Sequence, residues 1–163
     1  MNNQLSSKST SSKSKLAPSR GADGTAANRQ PEVPSLDTSK IKFDTISADL
    51  FDAVAREAAE ILAKSDKKIN KPTQIRRFYD EICMWAEKVE ANDVAKFKEF
   101  LPFIKMLNAK AAYAHGRKLV DDNFVKLLRD CLSQVNDPKT MKSFKLFMEA
   151  LMGFYKEKRP KDS

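Results

Sequence analysis

From Ile41 onward, apolar residues recur three and four positions apart, which is the spacing of one face of an α-helix. No segment shows the alternation of apolar and polar residues that a half-buried strand requires. The pattern therefore predicts an all-α domain over residues 41–163. Residues 1–40 are mostly Ser, Lys, Gly, Ala and Pro, which cannot bury enough surface to offset the entropy of ordering. We predict that they form a disordered tail.

The apolar stripes divide into about five helices with short loops, which is typical of a compact bundle. The first helix is expected to begin at Ser47, a good N-cap, and to end near Lys64. The second is expected to begin at Pro72 and Thr73. Proline disfavours a helical residue before it, and threonine can cap the new turn.

The third helical region is predicted to run from about Asp93 to Gly116, where glycine is a suitable C-terminal cap. Within this region, Pro102 either kinks the helix or restarts it at a first-turn position. Asp122 is predicted to cap the fourth helix, and Pro138 is predicted to open the fifth.

Composition excludes several classes of protein. The two cysteines, Cys83 and Cys131, lie within helical apolar patterns and form no CxxC pair, so neither a disulfide framework nor a zinc site is indicated. No segment approaches the roughly 20 apolar residues that a membrane span needs, and the N-terminus lacks a signal-peptide core. We therefore expect a soluble cytoplasmic protein that has no cofactor and does not enter a membrane.

Catalytic chemistry is not indicated by the residues. His115 is the one histidine, and it lies at a predicted helix end, where solvent and the helix dipole explain it. The carboxylates are scattered, and Asp121 and Asp122 are adjacent at a predicted cap rather than converging on metal ions. Neither GxxxxGK[ST] nor GxGxxG occurs. A binding protein is favoured, and a small metal-dependent nuclease is the weakest alternative.

The formal net charge of +8 favours a polyanionic partner, such as nucleic acid or an anionic membrane surface. Basic residues recur at helical spacing in two stretches of the chain, where they could contact phosphates while Tyr113 stacks on a base or ribose. The candidate phosphate-contacting residues are Lys71, Arg76, Arg77, Lys105, Lys110, Arg117 and Lys118. The alternative interpretation is that these cations only solvate the surface and that Tyr113 completes the core.

A further basic ridge lies on the predicted fifth helix and consists of Lys139, Lys142 and Lys145. These residues are three positions apart, so they share one helix face opposite the aromatic residues. A plain solvated face is the simpler interpretation of this ridge, which we keep as a secondary candidate.

Three stretches taken together resemble one protein family. They are KPTQIRRFY at residues 71–79, LPFIKMLNAKAAYAHGR at residues 101–117 and FKLFMEALMGFY at residues 144–155. In order and approximate spacing they are similar to the small helical subunit of the type III-A CRISPR effector ribonucleoprotein, the Csm complex. The resemblance covers about residues 45 to 157 and leaves out the tail.

The resemblance implies a non-catalytic subunit that stacks with neighbouring copies of itself. Such a subunit bridges the large polymerase-like subunit and the repeated backbone subunits that hold the guide RNA. Its basic residues are implied to contact the backbone of the target RNA and of the guide–target duplex without reading sequence. The family motif matches four of the candidate cations: Arg76, Arg77, Lys105 and Arg117. The alternative function is a helical protein-interaction adaptor whose basic surface only maintains solubility.

Overall fold

The computed structural model describes residues 32–160, and these contain helices and no strand. The predicted disorder of residues 1–31 lies outside the described residues. The all-α prediction is confirmed, and the five predicted helical regions are present. In chain order, the elements of the described residues are a π-helical turn at Leu50–Val54, α1 at Ala55–Ala63, α2 at Pro72–Glu90, α3 at Val94–Lys105, α4 at Leu107–Gly116, α5 at Asp122–Ser133 and α6 at Pro138–Lys158.

The third predicted region is divided into two helices at Met106. Pro102 lies inside α3, so the predicted alternative of a helix that restarts at Pro102 is not observed. Because proline lacks an N–H, it weakens the helical hydrogen bonding around it. The N–H of Met106 is shared between the carbonyls of Pro102 and Phe103, each 3.2 Å away, so the last turn of α3 tightens.

Aspartates cap three of the helices. Asp93, near which the third region was predicted to begin, caps α3, and its side chain accepts a 3.0 Å hydrogen bond from the N–H of Lys96. Asp121, and not the predicted Asp122, caps α5 by accepting from Phe124 at 2.9 Å. Asp137 and Thr140 form a capping box before α6, in agreement with a helix that opens at Pro138. The backbone hydrogen bond from Thr140 lowers the pKa of the Asp137 carboxyl.

Two other predicted caps are wrong. The first helical segment begins at Leu50 after Asp49, so Ser47 lies ahead of its cap position. Lys71, and not Thr73, occupies the N-cap position of α2, because Pro72 is already the first helical residue. Proline suits this position since the first N–H groups of a helix have no partner within it.

The predicted glycine cap of α4 is also wrong. Gly116 is the last residue of the helix, and the left-handed conformation falls on Lys118, with φ at 58°. The N–H of Lys118 donates to the carbonyl of His115 at 2.8 Å, and the N–H of Leu119 donates to that of Ala114 at 2.9 Å. These two bonds form a Schellman motif, which glycine completes without the steric cost that a Cβ atom adds.

We expect Lys118→Gly to raise the free energy of unfolding by about 1 kcal/mol, because it relieves the strain of a left-handed residue that carries a Cβ atom. Urea denaturation monitored by circular dichroism measures this change. Gly116→Ala is the matched control, since a Cβ atom added there meets nothing within 4 Å and the site lies inside the helix. A destabilised Lys118→Gly variant would contradict the assignment of the cap.

The core forms where α6 packs against α1 and α2, and where α4 packs against α5. Its largest side chains are fully buried aromatic rings: Phe43, Phe124, Phe144, Phe147 and Tyr155. The ring centroid of Phe43 lies 5.8 Å from that of Phe144 and 6.0 Å from that of Phe147. Phe43 therefore brings the segment that precedes the first helix into the core, where aromatic pairs add to the stabilisation from burial.

Residues 33–40 pack on α5, so this part of the predicted disordered tail is wrong. Leu36 is buried, and its N–H donates to the side-chain oxygen of Asn123 at 2.8 Å. The amide nitrogen of Asn123 donates in turn to the carbonyl of Pro34 at 3.0 Å. The side-chain amide of Asn123 thus satisfies backbone hydrogen-bonding groups of this segment, as a neighbouring strand would in a sheet. Composition alone does not reveal this pairing.

Candidate nucleic-acid interface

A cleft of about 420 Å³ lies between α2 and the C-terminal half of α4. The residues that line it are Gln74, Arg77, Phe78 and Glu81 on the side of α2, and Ala109, Lys110, Tyr113, Ala114, Arg117 and Leu119 on the other side. The spacing explains this grouping, because residues three and four apart on a helix lie on one face. Each helix therefore presents one stripe of side chains to the cleft.

The cleft brings together three candidate cations, Arg77, Lys110 and Arg117, and all three are exposed. The ammonium of Lys110 lies 2.6 Å from a carboxylate oxygen of Glu81, so α2 and α4 are bridged by an ion pair. Among the described residues that line the cleft, Glu81 is the one carboxylate, and it is paired with Lys110. The charges of Arg77 and Arg117 are therefore not balanced, and the cleft carries a net positive charge.

Tyr113 is an exposed aromatic residue in the lining of this basic cleft. Its side chain is 68% exposed, so the alternative in which Tyr113 completes the core is wrong. The guanidinium of Arg117 lies 5.7 Å from the centre of the Tyr113 ring, within the range of a cation–π contact. An exposed ring beside cations can stack on a nucleobase while the cations contact the phosphates on either side.

Arg76 lies on a different surface from its neighbour Arg77. Consecutive residues on a helix point about 100° apart, and Arg76 lines a separate pocket with Tyr79 and Glu149. Its guanidinium nitrogen lies 2.7 Å from the carboxylate of Asp80, and this hydrogen bond raises the pKa of the guanidinium. Arg76 already has a local partner and is not part of the cleft.

Three other predicted residues also lie away from the cleft. The ammonium of Lys105 donates to the carbonyl of Leu132 near the end of α5, and partial burial lowers the pKa of this ammonium. Lys71 supplies the backbone of the α2 N-cap. Lys118 lines a separate pocket with His115 and Asp122. The structure therefore brings three of the seven candidate cations together.

Two polar residues of the cleft were missed by the sequence analysis. Gln74 precedes Arg77 by three residues, and Glu81 follows it by four, so both lie one helical turn from Arg77. This spacing was the available signal, and it follows from the geometry of any helix. The ion pair between Glu81 and Lys110 could not be predicted from local sequence patterns, because 29 residues separate the two positions.

Within residues 32–160, no group of three or more His, Cys, Asp or Glu side chains is placed to hold a metal ion. In the same part of the chain, no helix has both the length and the apolar character needed to cross a membrane.

Comparison with known proteins gives one family match. The sequence model of the family described as Csm2 Type III-A matches residues 46–161, more than two thirds of the chain. The match includes the π-helical turn, all six helices and all seven candidate cations, and it begins after the segment that packs on α5. No curated protein and no solved structure matched the chain.

Proposed function

The chain belongs to the Csm2 type III-A family, and from this premise we propose that it binds RNA backbone through the cleft between α2 and α4 without catalysing a reaction. Family membership confirms the resemblance drawn from the three sequence stretches and makes the protein a small subunit of the type III-A CRISPR effector complex. The proposed ligands are the target RNA and its duplex with the guide RNA. The proposed protein partners are the repeated backbone subunits, the large polymerase-like subunit and neighbouring copies of the chain, all in the cytoplasm.

The observation that carries this proposal is the convergence of Arg77, Lys110 and Arg117 around the exposed ring of Tyr113. Cations that contact phosphates contribute affinity without sequence information, and stacking on an aromatic ring tolerates any base. A subunit that follows RNAs of many sequences requires this kind of contact. Release of counterions from three phosphates gives a slope of about −2 when the logarithm of the affinity for single-stranded RNA is plotted against that of salt concentration.

Co-purification tests this function. The tagged chain is isolated from cells that express every subunit of the effector, and the bound RNA is extracted and sequenced. Recovery of guide-length RNAs together with the larger subunits is the expected result. Recovery of the larger subunits with the chain, combined with RNA affinity that is absent even at low salt for the isolated protein, would instead support the adaptor.

The adaptor alternative has one specific observation in its favour. Phe103 is 53% exposed, and its ring stacks on Trp85 with a centroid distance of 6.1 Å. Exposed aromatic residues of this kind are typical of protein interfaces. A subunit of a ribonucleoprotein requires surfaces for protein as well as for RNA. The measurement that distinguishes the RNA-binding subunit from the adaptor is therefore the affinity of the isolated protein for RNA.

We expect Glu81→Gln to increase the affinity for single-stranded RNA by about threefold, because it removes a negative charge from the cleft that competes with phosphate for Lys110. Fluorescence anisotropy with a labelled RNA measures this change. Asp80→Asn is the matched control: it is the same chemical change one residue earlier, on a carboxylate that pairs with Arg76 outside the cleft. Equal increases in the two variants would show that only the net charge of the protein matters.

A further inference from the structure

A second groove, of about 560 Å³, lies between the first turns of α6 and the junction of α2 with α3. Its apolar lining is aliphatic and consists of Ala86, Val89, Val94, Pro138, Met141 and Leu146. Val94 is 66% exposed and Leu146 is 36% exposed, although both are apolar. Ala86, Val89 and Met141 are buried and Pro138 is half-buried, so the exposed apolar surface of the groove comes mainly from Val94 and Leu146. Exposed aliphatic side chains beside a groove are typical of a surface that a partner covers.

The groove has a basic rim formed by the ridge of Lys139, Lys142 and Lys145. None of these lysines forms an ion pair with a carboxylate within the described part of the chain. Two carboxylates, those of Glu90 and Asp93, also line the groove, and that of Asp93 is engaged in capping α3. Three lysines against two carboxylates among the described residues leave the lining of the groove with a net positive charge. Besides the hydrogen bond from the N–H of Thr140, Lys139 also contributes to the lowered pKa of the neighbouring Asp137 carboxyl.

We propose that this groove binds an amphipathic helix of a partner protein, whose apolar face meets the aliphatic lining and whose acidic residues face the three lysines. Helices bind in grooves of this kind through apolar side chains spaced three and four residues apart. The lysines are themselves three residues apart along α6, so their ammonium groups can pair with acidic residues on successive turns of the partner helix. Burial of the apolar face provides affinity, and the charges select the partner and its orientation.

The chemistry of the lining favours protein over RNA. Among the described residues that line the groove there is no aromatic ring on which a base could stack, and no arginine. An RNA strand would contact the lysines and leave the aliphatic surface in water. The cleft between α2 and α4 differs in both respects, since it presents Tyr113 and two arginines. The two surfaces are therefore suited to different partners.

The test uses the full chain and two synthetic acidic peptides of about 18 residues, long enough to form a helix. Both have the same composition of Leu, Ala and Glu. One places Leu on a single helical face, and the other has a scrambled order. Labelled peptides are titrated with protein, and fluorescence anisotropy reports binding. Wild-type protein is expected to bind the amphipathic peptide, and binding is expected to weaken as salt is added.

The combined change Lys139→Glu, Lys142→Glu and Lys145→Glu is expected to lower the affinity for the amphipathic peptide by about tenfold or more. The matched control replaces Arg77, Lys110 and Arg117 by Glu, which alters the net charge equally and should leave peptide affinity within about twofold. Lys145 is partly buried, so the pair Lys139→Glu and Lys142→Glu provides a second variant on exposed residues. Circular dichroism verifies that each variant is folded.

Four outcomes would overturn the proposal. The first two are that wild-type protein does not bind the amphipathic peptide, or that it binds the scrambled peptide equally well. The third is that both triple variants lose the same amount of peptide affinity. The fourth is that the triple lysine variant loses affinity for RNA but keeps its affinity for the peptide. The last outcome would make the ridge a phosphate surface. Light scattering is measured in parallel, and a dimer that the lysine changes dissociate would identify a second copy of the chain as the occupant. None of these outcomes depends on whether the cleft between α2 and α4 binds RNA.

Discussion

Replacing Arg77, Lys110 and Arg117 together by Glu is expected to lower the affinity for single-stranded RNA by about a hundredfold, with each exposed charged contact contributing a factor of about five. The reason is that the three cations line one cleft around Tyr113, so a strand that follows the cleft loses three phosphate contacts at once. Because fewer counterions are released, the dependence of affinity on salt should also become flatter. Fluorescence anisotropy at several salt concentrations measures both effects.

Two controls separate position from charge in this experiment. The variant with Glu at Lys139, Lys142 and Lys145 has the same change in net charge and should retain most of its RNA affinity. At the level of one residue, Arg77→Glu should weaken binding more than Arg76→Glu, since Arg76 pairs with Asp80 outside the cleft. If both triple variants lost RNA equally, long-range attraction rather than the cleft would explain binding, and the site assignment would be wrong.

The largest expected loss of stability follows from Asn70→Ala, which should lower the free energy of unfolding by about 4 kcal/mol. Asn70 is fully buried and left-handed, with φ at 52°. Its side chain donates to the carbonyl of Leu62 at 3.3 Å and accepts from the N–H of Asp121 at 3.0 Å. Its backbone carbonyl accepts a hydrogen bond from the hydroxyl of Tyr155. Alanine would leave the part-buried N–H of Asp121 without this acceptor, would remove one of the hydrogen bonds that the Leu62 carbonyl accepts, and would strain the left-handed backbone.

Asn70→Gly separates the two causes of this loss. Glycine tolerates the left-handed conformation but lacks the amide, so it should be less destabilising than alanine by about 1 kcal/mol. Asn136→Ala, at an exposed asparagine, is the matched control and should stay near wild type. Thermal and urea unfolding of wild type and of these three variants measure the differences in the free energy of unfolding. A loss below about 1 kcal/mol for Asn70→Ala would mean that the loop relaxes and restores the lost hydrogen bonds.

The number and order of the helical regions were predictable because helical periodicity is a local property of the sequence. Apolar stripes at spacings of three and four residues identified each region, and Asp93 and Pro138 marked two starts correctly. Cap positions were less predictable, as Asp121 and Lys118 illustrate. Adjacent residues such as Asp121 and Asp122 have the same capping chemistry, so the choice between them depends on the backbone of the whole loop.

The candidate site was predictable in its residue types but only partly in its membership. Arg76 and Arg77 are the same residue type at adjacent positions and cannot be distinguished by sequence pattern, but only Arg77 lines the cleft. Lys105 belongs to the matching family motif, but its ammonium reaches a carbonyl on α5. Lys110 was proposed from local charge alone and lies in the cleft. Membership depends on which helix faces oppose each other, and that is set by packing between distant segments.

Local features of the amino-acid sequence, namely periodicity, proline positions, composition and short motifs, were sufficient to identify an all-helical member of this family with an excess of basic residues. Packing of the helices brings three of the candidate cations into one cleft and pairs Glu81 with Lys110. The same packing buries Leu36 against α5 and connects Asn70 to Leu62 of α1, to the cap residue of α5 and to Tyr155 of α6. These features depend on hydrogen bonds and burial between residues far apart in the chain, which local patterns do not specify.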